Sequence, residues 1–111
     1  MESERNKQKG TEKIMKNTKL PSMPYASAHV DYNDDGSIDL ISYVTRVITV
    51  TADGWMDCTG TYSATTRKHI CAFMRDIVAP LSGHPLTYYT AKECYEKGLC
   101  MNIHTGEVVP V

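Results

Sequence analysis

The pattern of apolar and polar side chains predicts a β-hairpin in the first half of the chain. Residues 38–51 are rich in Ile, Val, Thr and Tyr, which is the composition of one long strand. The Asp-Gly pair at 53–54 favours a two-residue type I′ turn, and residues 55–62 predict the returning strand. Upstream, the Asn-Asp-Asp-Gly run at 33–36 has the composition of a turn.

The hydrophobic period then changes to that of an amphipathic helix. Apolar side chains recur at i, i+3, i+4 and i+7, namely Ile70, Phe73, Met74 and Ile77. We expect this main helix to begin at a capping threonine, Thr65 or Thr66, and to end before Pro80. Residues 81–89 contain Ser, Gly, His and Pro and are predicted to form a loop.

The last third of the chain predicts a short helix and two strands. A Thr-Ala-Lys-Glu capping box and Gly98 delimit a helix at 90–97. Residues 99–104 and 107–111 predict strands, the second at a sheet edge, where Pro110 is tolerated. The whole order predicts a small α+β domain: an antiparallel sheet built from a β-hairpin and C-terminal strands, with two helices on one face.

The N-terminal segment has a different composition from the rest. The first 20 residues carry six basic and three acidic side chains and no aromatic one. Such a segment has too little apolar surface to order itself. We therefore expect residues 1–24 to form a disordered, flexible basic tail and residues 25–111 to form a single α+β domain.

Composition narrows the classes of function. The chain has 111 residues, 12 Lys+Arg against 13 Asp+Glu, a net charge of −1 and 41% hydrophobic residues. This balance argues against a protein that binds polyanions over its whole surface. We see no apolar run of membrane-spanning length and no signal peptide, so we expect a cytoplasmic protein that does not contact membranes.

The cysteines do not predict a metal site. Without an export signal, we expect all four thiols to stay reduced. No Cys-x-x-Cys pair occurs, and the closest cluster, Cys94, Cys100 and His104, is too widely spaced for structural zinc. We interpret these thiols as small apolar or half-buried side chains.

One loop resembles a calcium site. Residues 31–39 match the first nine positions of an EF-hand loop, but Ser42 stands where a bidentate Glu is needed. We interpret the segment as a turn whose side chains bond their own backbone. No metal and no cofactor is predicted.

The start of the main helix is the first candidate binding site. Two hydroxyls, helix N–H groups and three basic side chains could hold an anion at Thr65, Thr66, Arg67, Lys68 and His69. Cations in a first turn oppose the helix dipole, so stability alone does not explain them. The alternative is an ordinary capped helix with exposed basic residues and with His69 packed against the sheet. No nucleophilic partner for His69 is evident, and we do not expect an enzyme.

Tyrosines supply the second candidate. Seven tyrosines stand beside one Phe and one Trp. Tyrosine is favoured at interfaces, which are partly apolar and partly wet. The pair Tyr88 and Tyr89, in the predicted loop near His84, could form a recognition patch or a platform on which nucleic-acid bases stack. The alternative is a set of tyrosines that covers a thin core with the hydroxyls at the surface.

The sequence also resembles a known group of proteins. The resemblance covers residues 38–78 and rests on Asp39-Leu40-Ile41-Ser42-Tyr43, on Asp53-Gly54-Trp55 and on Tyr62-Ser63-x-Thr65-Thr66-Arg67-Lys68-His69. These segments resemble a family of small uncharacterised domains found in bacteriophages, prophages and mobile elements of Firmicutes. The resemblance implies a phage or mobile-element accessory protein and brings no catalytic residues with it.

Two functions remain as hypotheses. The first is an accessory protein that binds a host or phage protein, for example as an inhibitor of a host defence system such as CRISPR interference. The second is a nucleic-acid-associated protein that binds phosphate through the start of the main helix and the basic tail. Binding that weakens steeply with salt would favour the second.

Overall fold

One antiparallel sheet organises the molecule. The structure is a computed structural model that describes residues 18–59 and 63–111. Within them, seven strands follow one another in the sheet in chain order. They are β1 (Thr18–Lys19), β2 (Ala28–Tyr32), β3 (Ile38–Ser42), β4 (Thr45–Val50), β5 (Trp55–Cys58), β6 (Leu99–Asn102) and β7 (Val108–Pro110).

The helices lie in the connection between β5 and β6. They are α1 (Ala64–Phe73), a π-helical turn (Met74–Val78), α2 (Ala79–Ser82) and α3 (Tyr88–Lys97). The first three elements are continuous, and we call residues 64–82 the long helix. No helix in the described part of the chain has the length and apolar character needed to cross a bilayer.

The helices cover one face of the sheet. Cross-strand pairing aligns Val30, Leu40, Ile48 and Cys58 on four adjacent strands, and all four side chains are buried. The buried side chains of the helices join the same core: Ile70, Ala72, Phe73, Met74, Val78, Ala91 and Cys94. The apolar stripe predicted for the main helix therefore faces the sheet, and the predicted α+β fold is confirmed.

The prediction of one long strand at 38–51 is wrong, because a turn divides this segment into β3 and β4. Ser42 pairs with Thr45 across this turn, and Tyr43 has φ = 58°. The register also shifts after Leu40, where Val47 is the extra residue on β4. Val47 and Ile48 are both buried, which explains why strict alternation does not separate the faces of this segment.

The turn predicted at residues 33–36 joins β2 to β3 and is confirmed. The Asn33 N–H donates to the Ser37 carbonyl at 2.9 Å, and Gly36 has φ = 88°. Asp35 Oδ1 accepts the Ser37 N–H at 2.9 Å and the Ser37 hydroxyl at 2.6 Å. The aspartate thus bonds the backbone of its own turn, as the turn interpretation expects.

The hairpin between β4 and β5 has a different loop from the predicted type I′ turn. The Thr51 N–H donates to the Trp55 carbonyl at 2.9 Å, which leaves a three-residue loop, 52–54. A type I′ turn needs positive φ at both central residues, and of the pair at 53–54 only the glycine has it, at 98°. The returning strand ends at Cys58; the predicted continuation through residues 60–62 lies outside the described residues.

The sheet includes residues that the sequence assigns to the tail. Thr18 and Lys19 pair with Val30 and His29 as the edge strand β1. Leu20 follows and is completely buried in the core. The chain turns directly after it, since the Met23 N–H donates to the Leu20 carbonyl at 3.0 Å. The rest of the predicted tail, residues 1–17, lies outside the described residues.

The long helix begins and ends differently from the prediction. Its N-cap is Ser63, whose Oγ accepts the Thr66 N–H at 3.1 Å. Neither predicted threonine is the cap. The helix also continues past Pro80 to Ser82, because a π-helical turn precedes the proline and the Ala79 N–H donates to the Met74 carbonyl five residues back.

The second of the two predicted helices corresponds to α3 and begins two residues earlier than predicted. Thr87 is its N-cap and shares a capping box with Thr90, so Tyr88 and Tyr89 lie in the first turn of a helix and not in a loop. Gly98 ends the helix with φ = 67°, as predicted.

The two C-terminal strands are confirmed. β7 is the outer strand at its edge of the sheet, as predicted from Pro110. The Val111 N–H donates to the Gly98 carbonyl at 2.9 Å, so the backbone nitrogen of the last residue points towards β6.

Candidate functional site

A groove lies between the long helix and the start of α3. Its volume is about 530 Å³, within the range of small-ligand and side-chain sites. One side comes from the long helix and the other from residues 85–89. The lining residues are Arg67, Cys71, Arg75, Ala79, Pro85, Leu86, Thr87, Tyr88 and Tyr89.

The helical side of the groove has a simple repeat. Arg67, Cys71, Arg75 and Ala79 each follow the previous one by four residues, so they share one helix face. The other face carries the core stripe, including the buried Phe73. Short side chains at 71 and 79 alternate with long ones at 67 and 75, and this alternation leaves the open space.

Residues 83–89 fold back to form the second side. Gly83 ends the long helix with φ = 75°, a left-handed conformation that glycine adopts without strain. The cap at Thr87 then starts α3 and places two aromatic rings in its first turn. The rings of Tyr88 and Tyr89 meet edge to face, with centroids 5.4 Å apart.

The two arginines of the groove have different surroundings. The Arg67 guanidinium lies over the Tyr88 ring, 5.9 Å from its centroid, at a distance typical of cation–π contacts. Arg75 instead donates from Nη2 to the Ser22 hydroxyl at 2.7 Å, and its Nε lies 3.5 Å from an Asp76 carboxylate oxygen. Asp76 in turn accepts the Ser22 N–H and hydroxyl.

A second polar feature lies beneath the start of the long helix. The Ser63 hydroxyl donates to Thr66 Oγ1 at 3.1 Å, Thr66 Oγ1 lies 3.2 Å from Ser42 Oγ, and Ser42 Oγ lies 2.8 Å from His69 Nδ1. If each hydroxyl donates to the next group, this chain satisfies every hydroxyl and leaves His69 Nδ1 as the acceptor. It ties β3 to the helix.

His69 is closed off from solvent. Its side chain is 1% exposed and Ser42 is 2% exposed. The Tyr43 ring covers the imidazole, with centroids 5.8 Å apart. Burial lowers the pKa of His69, which disfavours the charged imidazolium. The histidine therefore packs against the sheet, and its partner is a serine hydroxyl.

The structure brings together three of the seven residues predicted for binding. Arg67, Tyr88 and Tyr89 line the groove. Thr65 and Lys68 are exposed at the start of the long helix and do not line it. The other two, Thr66 and His69, point inward to the hydroxyl chain. The two sequence candidates, the helix start and the tyrosine pair, thus meet at one site through Arg67 and Tyr88.

Sequence reasoning missed the remaining residues of the groove. Cys71, Arg75 and Ala79 escape notice because the apolar stripe draws attention to the opposite helix face. The signal was available as the four-residue spacing that continues from Arg67. Residues 85–87 give no such signal, since their position depends on how the chain folds back after Gly83.

No metal site emerges from the described part of the chain, where no three His, Cys, Asp or Glu side chains lie together in a way that could hold an ion. In the calcium-like loop, Asp39 accepts from Asn33 at 3.0 Å and from Thr49 at 2.6 Å. Cys58 and Cys94 are buried, and burial raises the pKa of both thiols.

Comparison with known proteins gives one match. A family model matches residues 9–82, a segment that runs from before β1 to the end of the long helix, and it describes a family of unknown function (DUF8033). No curated protein and no solved structure matches the chain.

Proposed function

We propose that this chain, which belongs to DUF8033, a family of unknown function, acts by binding another protein through the groove between the long helix and α3. The observation that carries this proposal is the position of the Arg67 guanidinium over the Tyr88 ring at the mouth of an apolar groove. Arginine and tyrosine are enriched in protein interfaces and among the residues that dominate their binding energy.

The surface around the groove supports a protein partner. Tyr89 is 74% exposed beside the half-buried Tyr88, so a partner would cover aromatic surface that water now contacts. Two tyrosine rings already held by a helix lose little conformational freedom on binding. Such a patch gives a partner large contact area at low entropic cost.

The buried histidine supports binding over catalysis. Ser42 and His69 have the separation of a nucleophile and its base, but a reaction needs a substrate within hydrogen-bonding distance of both. Both side chains are almost fully buried. We therefore assign this pair a structural role and propose no reaction and no cofactor.

The wider setting of the proposal comes from the sequence. The resemblance of residues 38–78 to domains of phages, prophages and mobile elements of Firmicutes supports an accessory protein that works in the cytoplasm of a bacterial host. In that setting the partner is a host or phage protein. Inhibition of a host defence system such as CRISPR interference is the form of this function that we propose.

Nucleic acid is the alternative partner. Arg67 and Lys68 are both exposed in the first turns of the long helix, and exposed cations there could contact phosphate. The inward position of Thr66 and His69 leaves fewer groups for a phosphate than the sequence suggests.

The test is a pull-down from host extract with the tagged protein, with and without nuclease. Arg67→Glu reverses a charge inside the groove, and Lys68→Glu reverses the neighbouring charge outside it, so the two variants form a matched pair. Both should fold, because both side chains are exposed and surface substitutions usually change stability by no more than about 0.5 kcal/mol. Thermal melts check this.

We expect a nuclease-resistant partner that Arg67→Glu loses and Lys68→Glu retains. The nucleic-acid alternative would be supported if nuclease abolished capture of the partner and both variants weakened it. Capture that neither variant changes would exclude the groove as the binding site. Once a partner is known, an interference assay in host cells tests inhibition.

A further inference from the structure

We infer that the segment bound in the groove carries a carboxylate, which pairs with Arg67, followed by apolar side chains that lie along Cys71 and Ala79. This inference rests on the proposed function and specifies the chemistry of the partner. It also gives the bound segment a direction along the long helix.

The charged side chains that line the groove are all positive among the described residues. Two guanidinium groups line it, and no acidic side chain of the described residues does so. The remaining lining is apolar or aromatic apart from one threonine hydroxyl. A purely apolar segment would bring no anion to Arg67, and a purely acidic one would not use the apolar walls.

Arg67 is the arginine that can accept a new anion. Within residues 18–59 and 63–111, its guanidinium makes a ring contact but neither a hydrogen bond nor an ion pair. Arg75 already has the Ser22 hydroxyl and the Asp76 carboxylate. The charge at the middle of the groove is therefore largely compensated, and the charge at the Arg67 end is not.

The donors of Arg67 suit a carboxylate. A guanidinium carries five N–H donors in one plane, and within residues 18–59 and 63–111 none of those of Arg67 is used in a hydrogen bond. A carboxylate can accept two of these donors in a bidentate pair.

The length of the groove determines how many side chains of a bound segment can lie in it. Arg67 and Ala79 are twelve residues apart, or about 18 Å along a helix axis. A bound segment with its carboxylate at Arg67 thus has room for several apolar side chains towards Ala79 and Leu86. Reversing the segment would put the carboxylate at the apolar end.

The probe is a pair of peptides, acetyl-Glu-Leu-Ser-Leu-Phe-Gly-Lys-amide and its Gln counterpart, each with fluorescein on the side chain of the added lysine. Fluorescence anisotropy measures the Kd of each for the full chain and for Arg67→Gln, with Lys68→Gln as the matched control. Amide shifts in NMR spectra of the labelled protein locate the bound peptide.

We expect the Glu peptide to bind about tenfold more tightly than the Gln peptide, as a charge-assisted hydrogen bond predicts. Arg67→Gln should abolish this preference, Lys68→Gln should keep it, and the amide shifts should cluster at residues 71–79 and 85–89. Equal binding of both peptides at the groove would overturn the carboxylate inference while leaving the proposed function intact. Absence of binding, or a preference for the Glu peptide that survives Arg67→Gln, would also overturn the carboxylate inference. The pull-down tests the proposed function independently of these peptides.

Discussion

The hydroxyl of Ser42 lies 2.8 Å from Nδ1 of His69, and this contact joins residues that are 27 positions apart in the chain. Ser42 ends β3, and His69 lies in α1. The pair fixes the start of the long helix on the sheet and thereby positions the helix face that carries Arg67.

Replacing Ser42 should destabilise the fold. Ser42→Ala removes the partner of a buried imidazole nitrogen and interrupts the hydroxyl chain at Thr66, so we expect a loss of about 1–3 kcal/mol in the free energy of unfolding. Urea denaturation measures this. Thr45→Ala, an exposed change across the same turn, should stay within about 0.5 kcal/mol; equal effects of the two variants would contradict the importance of the contact.

His69 should make stability depend on pH. Burial holds its pKa below the ordinary 6.5, so the folded chain binds fewer protons than the unfolded chain in the window just below that value. The contribution of this group is then complete above about pH 6.5 and decreases as pH falls through the window. Unfolding free energies between about pH 7.5 and 5.5 should fall less steeply in His69→Gln, which retains the other histidines. Parallel pH profiles for the two proteins would argue against a buried neutral imidazole.

Leu20 should anchor the N-terminal edge of the sheet. The side chain is 0% exposed, and Leu20→Ala should cost about 2–5 kcal/mol, as core leucine truncations do. Leu81→Ala serves as the control, since Leu81 is 49% exposed. Differential scanning calorimetry compares them, and a melting temperature for Leu20→Ala near that of Leu81→Ala would show that residue 20 lies outside the core.

Replacing Gly36 by alanine should destabilise the fold more than replacing Gly106 by alanine. Both glycines have positive φ, 88° and 80°, so both substitutions cost about 1–2 kcal/mol for the left-handed backbone. A Cβ at Gly36 would also lie 2.9 Å from the Ala52 Cβ, whereas one at Gly106 would meet nothing within 4 Å. We expect about 1–3 kcal/mol of additional loss at Gly36. Adding Ala52→Gly should recover that part, and failure to recover it would mean that the two hairpin loops do not touch.

The elements that could be predicted are those with a local signal. The helix stripe at 70–77, the turn at 33–36 and the stop at Gly98 all follow from short-range patterns, and together they determine the α+β class. The turn at Tyr43 could not be predicted, because an aromatic residue there adopts a conformation that usually selects glycine. The ring packs on His69, a residue of a distant helix, and local sequence does not contain this contact.

The sequence predicted residue types of the site but not how they come together. Charge placement identified Arg67, and composition identified Tyr88 and Tyr89. Their meeting depends on the return of the chain after Gly83, and the inward turn of Thr66 depends on Ser42, a residue of a distant strand. No window of local sequence contains either relationship.

Pro110 has a consequence for self-association. The sheet is open, so its outer strands could template strand addition by other copies. The Val111 N–H bonds back to Gly98, and backbone groups of a strand point alternately to either side. The nitrogen of residue 110 therefore faces outward, where proline offers no hydrogen to an incoming strand. At the opposite edge, the described part of β1 includes a lysine, and charged side chains on an edge strand also discourage such pairing.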